Sequence, residues 1–164
     1  MPRDTPALAS LFLEVRRSTF TWRDASTFAL EDFEAQTVAE DITIAENEHG
    51  ELLGFVSVWE PESFIHHLFV ATSAQGMGVG RRLLASLLPW LPLPHRLKCA
   101  EPNASALAFY RKLGWIEIAR GESSDGCYRL LEWNRPLGTT NDAVVITANS
   151  RALPSPAPSP ATSL

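Results

Sequence analysis

The chain is short of the features that mark several protein classes. Its two cysteines, Cys99 and Cys127, are too few for a disulfide framework or a four-thiolate zinc site. No apolar run approaches the roughly 18 residues of a membrane span, and Pro89, Pro92 and Pro94 interrupt the longest one. Met1-Pro2-Arg3-Asp4-Thr5 contains no apolar signal-peptide core, so a cytoplasmic location is expected, with no membrane partner. Basic charge is not in excess either. The net charge of −5 argues against a broad electrostatic grip on nucleic acid. What remains is 164 residues at 45% hydrophobic content, enough for one domain with a real core.

The charge is divided unevenly. Residues 1–62 carry 13 acids against 4 bases, residues 63–135 carry 9 bases against 5 acids, and the remainder holds one of each. An acidic half joined to a basic half suits a cationic ligand on one side and an anionic one on the other. A surface asymmetry without function gives the same figures.

Periodicity orders the chain. Thr5-Pro6 reads as a helix start, with Ala7, Leu8, Leu11, Phe12 and Val15 on one face. A second short helix is expected over 30–37. Strand propensity over 41–45 and 52–59, joined at Asn47-Glu48-His49-Gly50, predicts a β-hairpin. A strand over 63–70 runs into three alternate glycines. Leu83, Leu84, Leu87, Leu88 and Leu91 then follow a helical pattern that Pro89 should end. A strand at 97–100, a helix capped by Asn103 and stopped at Gly114, and a hairpin over 115–119 and 127–133 complete a mixed α/β pattern.

The chemistry begins at Gln75-Gly76-Met77-Gly78-Val79-Gly80-Arg81-Arg82. A strand ends, glycines let the backbone approach a ligand and turn its N–H groups to one point, and a helix begins. This is an anion site sized for a phosphate or pyrophosphate. The Gly-Lys-Ser/Thr of an ATP-binding loop is absent, and the dinucleotide pattern fails because the third glycine comes one position early. Glu101 keeps that second reading open, lying about where a ribose-binding acid would sit.

The spacing Q-x-x-G-x-G on a strand, loop and helix resembles the acyl-CoA pyrophosphate loop of the GNAT superfamily of N-acetyltransferases. Asn103-Ala104-Ser105-Ala106 followed by Phe109-Tyr110-Arg111-Lys112-Leu113-Gly114-Trp115 is similar to a second block of that family, with Trp for its usual Phe. Leu68-Phe69-Val70 resembles the strand that precedes the loop. The likeness spans roughly 5–135. It implies a GNAT-like α/β fold: a mixed, mostly antiparallel sheet flanked by helices, with the usual first strand missing, since this chain starts almost at its first helix.

It also implies roles. Backbone groups of Leu68, Phe69 and Val70 would pair with the pantetheine arm of acetyl-CoA. Gln75, Gly76, Met77, Gly78, Val79, Gly80 and Arg81 would hold the pyrophosphate, and Asn103, Ala106 and Phe109 would line the far side. Tyr110 matches the tyrosine that protonates the departing thiolate, or it packs in the core with Leu107 and Leu113. No metal is expected. The activity implied is transfer of an acetyl group from acetyl-CoA to a primary amine of a small molecule or peptide, by direct attack in a ternary complex. The competing class is a module that binds or senses acyl-CoA without turnover.

An amine with a pKa of about 10.4 must lose its proton, at a cost of about 5 kcal/mol at pH 7. A base and a desolvating pocket ease this step. His66 stands where a histidine is proposed as base in serotonin N-acetyltransferase, which is similar in this strand. Glu60 is the second candidate and Glu101 the third. On a regular strand His67 points to the opposite face, so the two histidines should not hold one metal, although a bulge would exchange their roles. Phe20, Trp22 and Trp59 are the candidate walls of the acceptor pocket, with plain core packing as the alternative.

Residues 136–164 form an expected C-terminal extension, distinct from the 1–135 acyltransferase domain. A Pro/Ser/Ala-rich tail is expected over 152–164, and a strand over 142–148. Ala143 to Thr147 is expected to pair with an exposed sheet edge, of this chain or of a second copy in a homodimer.

Overall fold

The computed structural model describes residues 4–134 and 145–149. The chain opens with helix α1 (Thr5–Thr19), followed by the short α2 (Asp32–Gln36). Strands β1 (Asp41–Glu46), β2 (Leu52–Trp59) and β3 (Phe64–Val70) come next. Helix α3 (Val79–Ala85), β4 (His95–Ala100), α4 (Ala104–Lys112), β5 (Ile116–Ser123), β6 (Gly126–Trp133) and β7 (Val145–Asn149) complete the order. Among the described residues no helix is long and apolar enough to cross a membrane.

The strands form one sheet in the order β5-β6-β4-β3-β2-β1-β7. All neighbours are antiparallel except β3 and β4, which run parallel. As expected, α1 is the first element, with no strand before it among the described residues. The edge of β1 is taken instead by β7 of the same chain, in register from Ile42↔Asn149 to Glu46↔Val145. The expected strand begins at residue 142, and its positions 142–144 lie outside the described residues, as does the tail over 152–164.

Two apolar cores sit on the two faces of the sheet. Leu8, Leu11, Phe12 and Val15 of α1 pack with Phe20, Phe28 and Phe33 on Ile42, Ile44, Phe55 and Phe69. On the other face Val79, Leu83, Leu84, Leu87, Ala106, Leu107 and Tyr110 cover Val56, Ile65, Leu68, Leu97 and Leu131. Alternation along each strand feeds both cores, as a sheet buried on both faces requires.

Two helix limits differ from expectation. Asp4, not Thr5, stands at the start of α1, and its side chain makes no capping bond. Helix α3 ends at Ala85 rather than at Pro89. The Ser86 hydroxyl donates to Leu83 O at 2.6 Å, and Leu87 N bonds Leu84 O at 3.2 Å. These three-residue closures tighten the chain into successive turns. Leu87 and Leu91 stay buried all the same, so the apolar stripe outlasts the helix.

The β3–β4 junction is brief. Only Phe64↔Arg96 and Ile65↔Leu97 are paired, after which the strands part. A bulge lies at the same point on the other side of β3. Ser57 faces His67 and Val58 faces Ile65, leaving His66 without a partner across the ladder.

Candidate active site

The glycine loop turns where its sequence demands. Gly76 and Gly78 take φ of +79° and +81°, and Gly78 stands at the start of α3. Other residues adopt this conformation only at a cost. Gly80 serves differently: a Cβ there would stand 3.1 Å from Phe109 Cζ. Its missing side chain lets the start of α3 approach α4, where Asn103 caps the helix by accepting from Ala106 N at 3.2 Å.

Between them lies a cavity of about 440 Å³. It is lined by Leu68 and Val70 of β3, by Gln75, Gly76, Gly78, Val79, Gly80 and Arg81, and by Ala106 and Phe109 of α4. Ser105, Lys112 and Leu113, which sequence reasoning did not single out, line it too. Arg81 lines the cavity, and its Nε is buried without a hydrogen-bond partner among the described residues, so its guanidinium places positive charge in this wall. The residues present therefore fit a phosphorylated, partly apolar ligand such as a coenzyme A thioester.

Four residues expected here fall outside the lining. Phe69 sends its ring to the opposite core, Met77 is exposed, Asn103 caps α4, and Tyr110 is fully buried against Trp115 and Phe109.

His66 sits at the point where β3 leaves β4. Its Nδ1 contacts Glu40 Oε1, and both side chains are buried. Burial, aided by Lys98, pushes the His66 pKa down to about 4. The ring is thus neutral at pH 7. With Glu40 Oε1 accepting Nδ1–H, Nε2 is left as the lone-pair acceptor, the orientation a general base needs. Glu40 was not legible in the sequence, because it lies far along the chain from His66 and belongs to no local motif. Glu60, in a turn after β2, and Glu101, after β4, are both exposed.

The bulge corrects the expectation that the two histidines face apart. Their ring centroids are 6.0 Å apart, much closer than opposite faces of a regular strand allow. Even so, no group of three or more potential metal ligands occurs among the described residues.

His67 helps to line a second cavity, of about 230 Å³, on the α1 side of the sheet. Phe12, Phe20, Phe28 and Phe69 form its apolar walls, with Arg16, Arg23, Asp32, Gln36 and Asp125 as polar ones. Phe20, an expected acceptor residue, lines it, and Trp22 packs on Phe20 at 5.2 Å. Trp59 is elsewhere, at the far end of β2 beside Phe64. Arg16 carries the signal that sequence reading passed over: a cation following Leu8 and Phe12 at four-residue spacing, on the buried face. Its guanidinium lies over the Phe12 and Phe28 rings at 4.2 and 4.3 Å and bonds Asp32 at 2.6 Å.

β3 is the wall shared by the two cavities. Leu68 and Val70 face the loop side, while His67 and Phe69 face the α1 side. The gap where β3 and β4 separate opens beside His66.

Comparison with known proteins agrees with this geometry. The profile of the Acetyltransferase (GNAT) family matches residues 8–115. A 5-NmdU N-acetyltransferase of Pseudomonas phage PaMx11 is 29% identical over 128 residues, covering 74% of this chain and 89% of that protein. Among solved structures, an N-acetyltransferase from Staphylococcus aureus Mu50 superposes with a TM-score of 0.64 at 18% identity, over 81% of this chain and 97% of that one. A ribosomal-protein-alanine N-acetyltransferase from Brucella melitensis gives 0.55 at 21% identity, over 79% and 93%. With the fold, the loop and the family match in agreement, the chain belongs to the GNAT acetyltransferase family and is an acetyltransferase.

Proposed function

We propose that the protein transfers an acetyl group from acetyl-CoA to a primary amine of a small molecule or peptide, by direct attack while both substrates are bound. The observation that carries this reading is the shared wall: two cavities lie on opposite faces of β3, and β3 loses its β4 partner after Ile65, next to His66. The thioester supplies an activated acyl group, and the chain's residues do the rest.

The loop amides of 75–81 and Arg81 hold the pyrophosphate. Backbone groups of β3 left free by the parting of β4 align the pantetheine arm as an added strand would. His66, oriented by Glu40, accepts the amine proton directly or through a water; burial keeps it neutral and so able to accept, at the expense of its strength as a base. Tyr110 lies behind the cavity wall, against Phe109, and would have to turn its hydroxyl past that ring to return a proton to the departing thiolate, the role the family resemblance implies for it. Glu60 and Glu101 are less suited as base, since exposure leaves them in bulk water.

The first experiment is thermal unfolding with and without acetyl-CoA, with NAD(H) as control. Saturation at 100 times Kd adds about 2.7 kcal/mol of stability, a rise of several degrees in midpoint. Release of CoA thiol is then screened over an amine panel that includes 5-NmdU, the substrate in the phage relative's name. Tyr110→Phe should lower transfer strongly with acetyl-CoA affinity kept, and equal activity would remove Tyr110 from the mechanism. No shift with acetyl-CoA would overturn the coenzyme assignment.

A further inference from the structure

The second cavity holds charges that cancel. Arg16 pairs with Asp32 at 2.6 Å and Arg23 with Asp125 at 3.2 Å. Burial pushes the Arg16 pKa down only to about 10, so it remains a cation, and the same cause holds His67 neutral. The lining thus carries no net charge at pH 7.

Its hydrogen-bonding capacity is not used up in the same way. Arg16 Nε is buried with no partner among the described residues. Neither ring nitrogen of His67 makes a well-formed hydrogen bond, although the Gln36 backbone lies near. Arg16 Nε–H is an open donor, and a neutral His67 ring whose N–H is turned to the Gln36 backbone leaves its other nitrogen as an open acceptor. Orphaned buried groups of this kind are costly, and a ligand that satisfies them removes the cost.

A second charge on the ligand gains nothing comparable. Every counter-charge in the cavity already has a partner, so a buried ammonium or carboxylate would lose its water without a free ion to replace it. A neutral group that both accepts and donates meets the open positions without that penalty.

We propose that this cavity seats the acceptor, and that it selects primary amines whose far end is a neutral amide or imide over amines ending in a second charge. The assignment rests on the transferase reading and deepens it. The cavity floor adjoins the base, since the His67 and His66 rings are 6.0 Å apart.

The test compares three amines of one length: β-alaninamide, β-alanine and diaminopropane, ending in an amide, a carboxylate and an ammonium. At saturating acetyl-CoA, kcat/KM for β-alaninamide should exceed both others by about tenfold or more. Asp125→Asn lies on an exposed turn and leaves Arg23 unpaired, giving the cavity net positive charge. In that variant β-alanine should gain about threefold or more on diaminopropane. Equal rates for the three amines in the wild type, or an unchanged β-alanine to diaminopropane ratio in D125N, overturns the proposal.

If none of the three releases CoA thiol, saturation-transfer NMR of the same amines decides the matter. Contact from β-alaninamide above the charged pair supports the assignment, and absent or equal contact overturns it. A protein that acetyl-CoA fails to stabilise would count against the transferase reading separately, because the NMR ranking needs no turnover.

Discussion

Gly78 and Gly80 stand two positions apart in the glycine loop and should resist substitution for different reasons. At Gly78, φ is +81° and nothing lies within 4 Å of where a Cβ would go. Alanine there meets no clash, and the cost is the left-handed backbone alone, about 1–2 kcal/mol. For a chain of this size that lowers the unfolding midpoint by about 2–4 °C per kcal/mol. At Gly80 the backbone is compatible with any residue, but a Cβ would sit 3.1 Å from Phe109 Cζ and 3.7 Å from Val70 Cγ2. Alanine there gains about 1 kcal/mol of helix propensity, which offsets the crowding. The midpoint should therefore stay near that of the wild type. Both neighbours line the cavity, and the displaced ring narrows it, so acetyl-CoA binding should weaken by about tenfold, or 1.4 kcal/mol. The assay is differential scanning fluorimetry across an acetyl-CoA titration, for both glycine variants with and without Phe109→Leu. The smaller side chain should recover most of the affinity lost in Gly80→Ala and none of the stability lost in Gly78→Ala. A Gly80→Ala defect untouched by Phe109→Leu, or a Gly78→Ala protein with an unshifted midpoint, would refute the reasoning.

Three further outcomes follow from buried groups. Glu40→Gln keeps the shape of the side chain but replaces the carboxyl group that orients His66, so transfer at pH 7 should fall about tenfold or more. The same change should add nothing in a His66→Gln background, as a double-mutant cycle on kcat with acetyl-CoA affinity measured in parallel would show. Because burial lowers the His66 pKa to about 4, the folded state refuses a proton that the unfolded chain takes up near pH 6.5. Its contribution is present above pH 6.5 and is lost as pH falls toward 4, up to about 3 kcal/mol. Urea unfolding followed down through this window checks the slope, which His66→Gln should flatten. Cys127 is exposed, whereas Cys99 is buried with its thiol pushed up to about 12. One equivalent of a thiol reagent should therefore react in the native protein and a second only after denaturation, read by mass spectrometry.

The parts of this molecule that were legible in the sequence are those held by local rules. The hairpin at 41–59, the glycine loop and the Asn103 cap each depend on residues a few positions apart, and the structure places all three where spacing puts them. The early end of α3 is not contained in the leucine stripe, because Leu87, Leu88 and Trp90 close three-residue turns that keep Leu87 and Leu91 buried. The His66–Glu40 contact and the two ion pairs of the second cavity join residues from separate elements. No periodicity announces them. The bulge at His66 was hidden for a related reason: a shift in register across β2 and β3 is a property of the pair, and alternation within β3 alone does not contain it.

The short β3–β4 junction has a mechanical consequence. Backbone hydrogen bonds fix both the direction and the spacing of what they join, and here they end after Ile65↔Leu97. Beyond that point Leu68 on one leaf and Leu97, Cys99 and Leu131 on the other are gathered in the same apolar core, and apolar contact carries no preferred angle. The sheet is therefore stiff everywhere except along one seam, where cohesion is retained while orientation is released. Its compliance lies where the proposed pantetheine arm would be laid, so a coenzyme bound there would act as a splint, completing across the seam the rigidity that the polypeptide leaves unfinished.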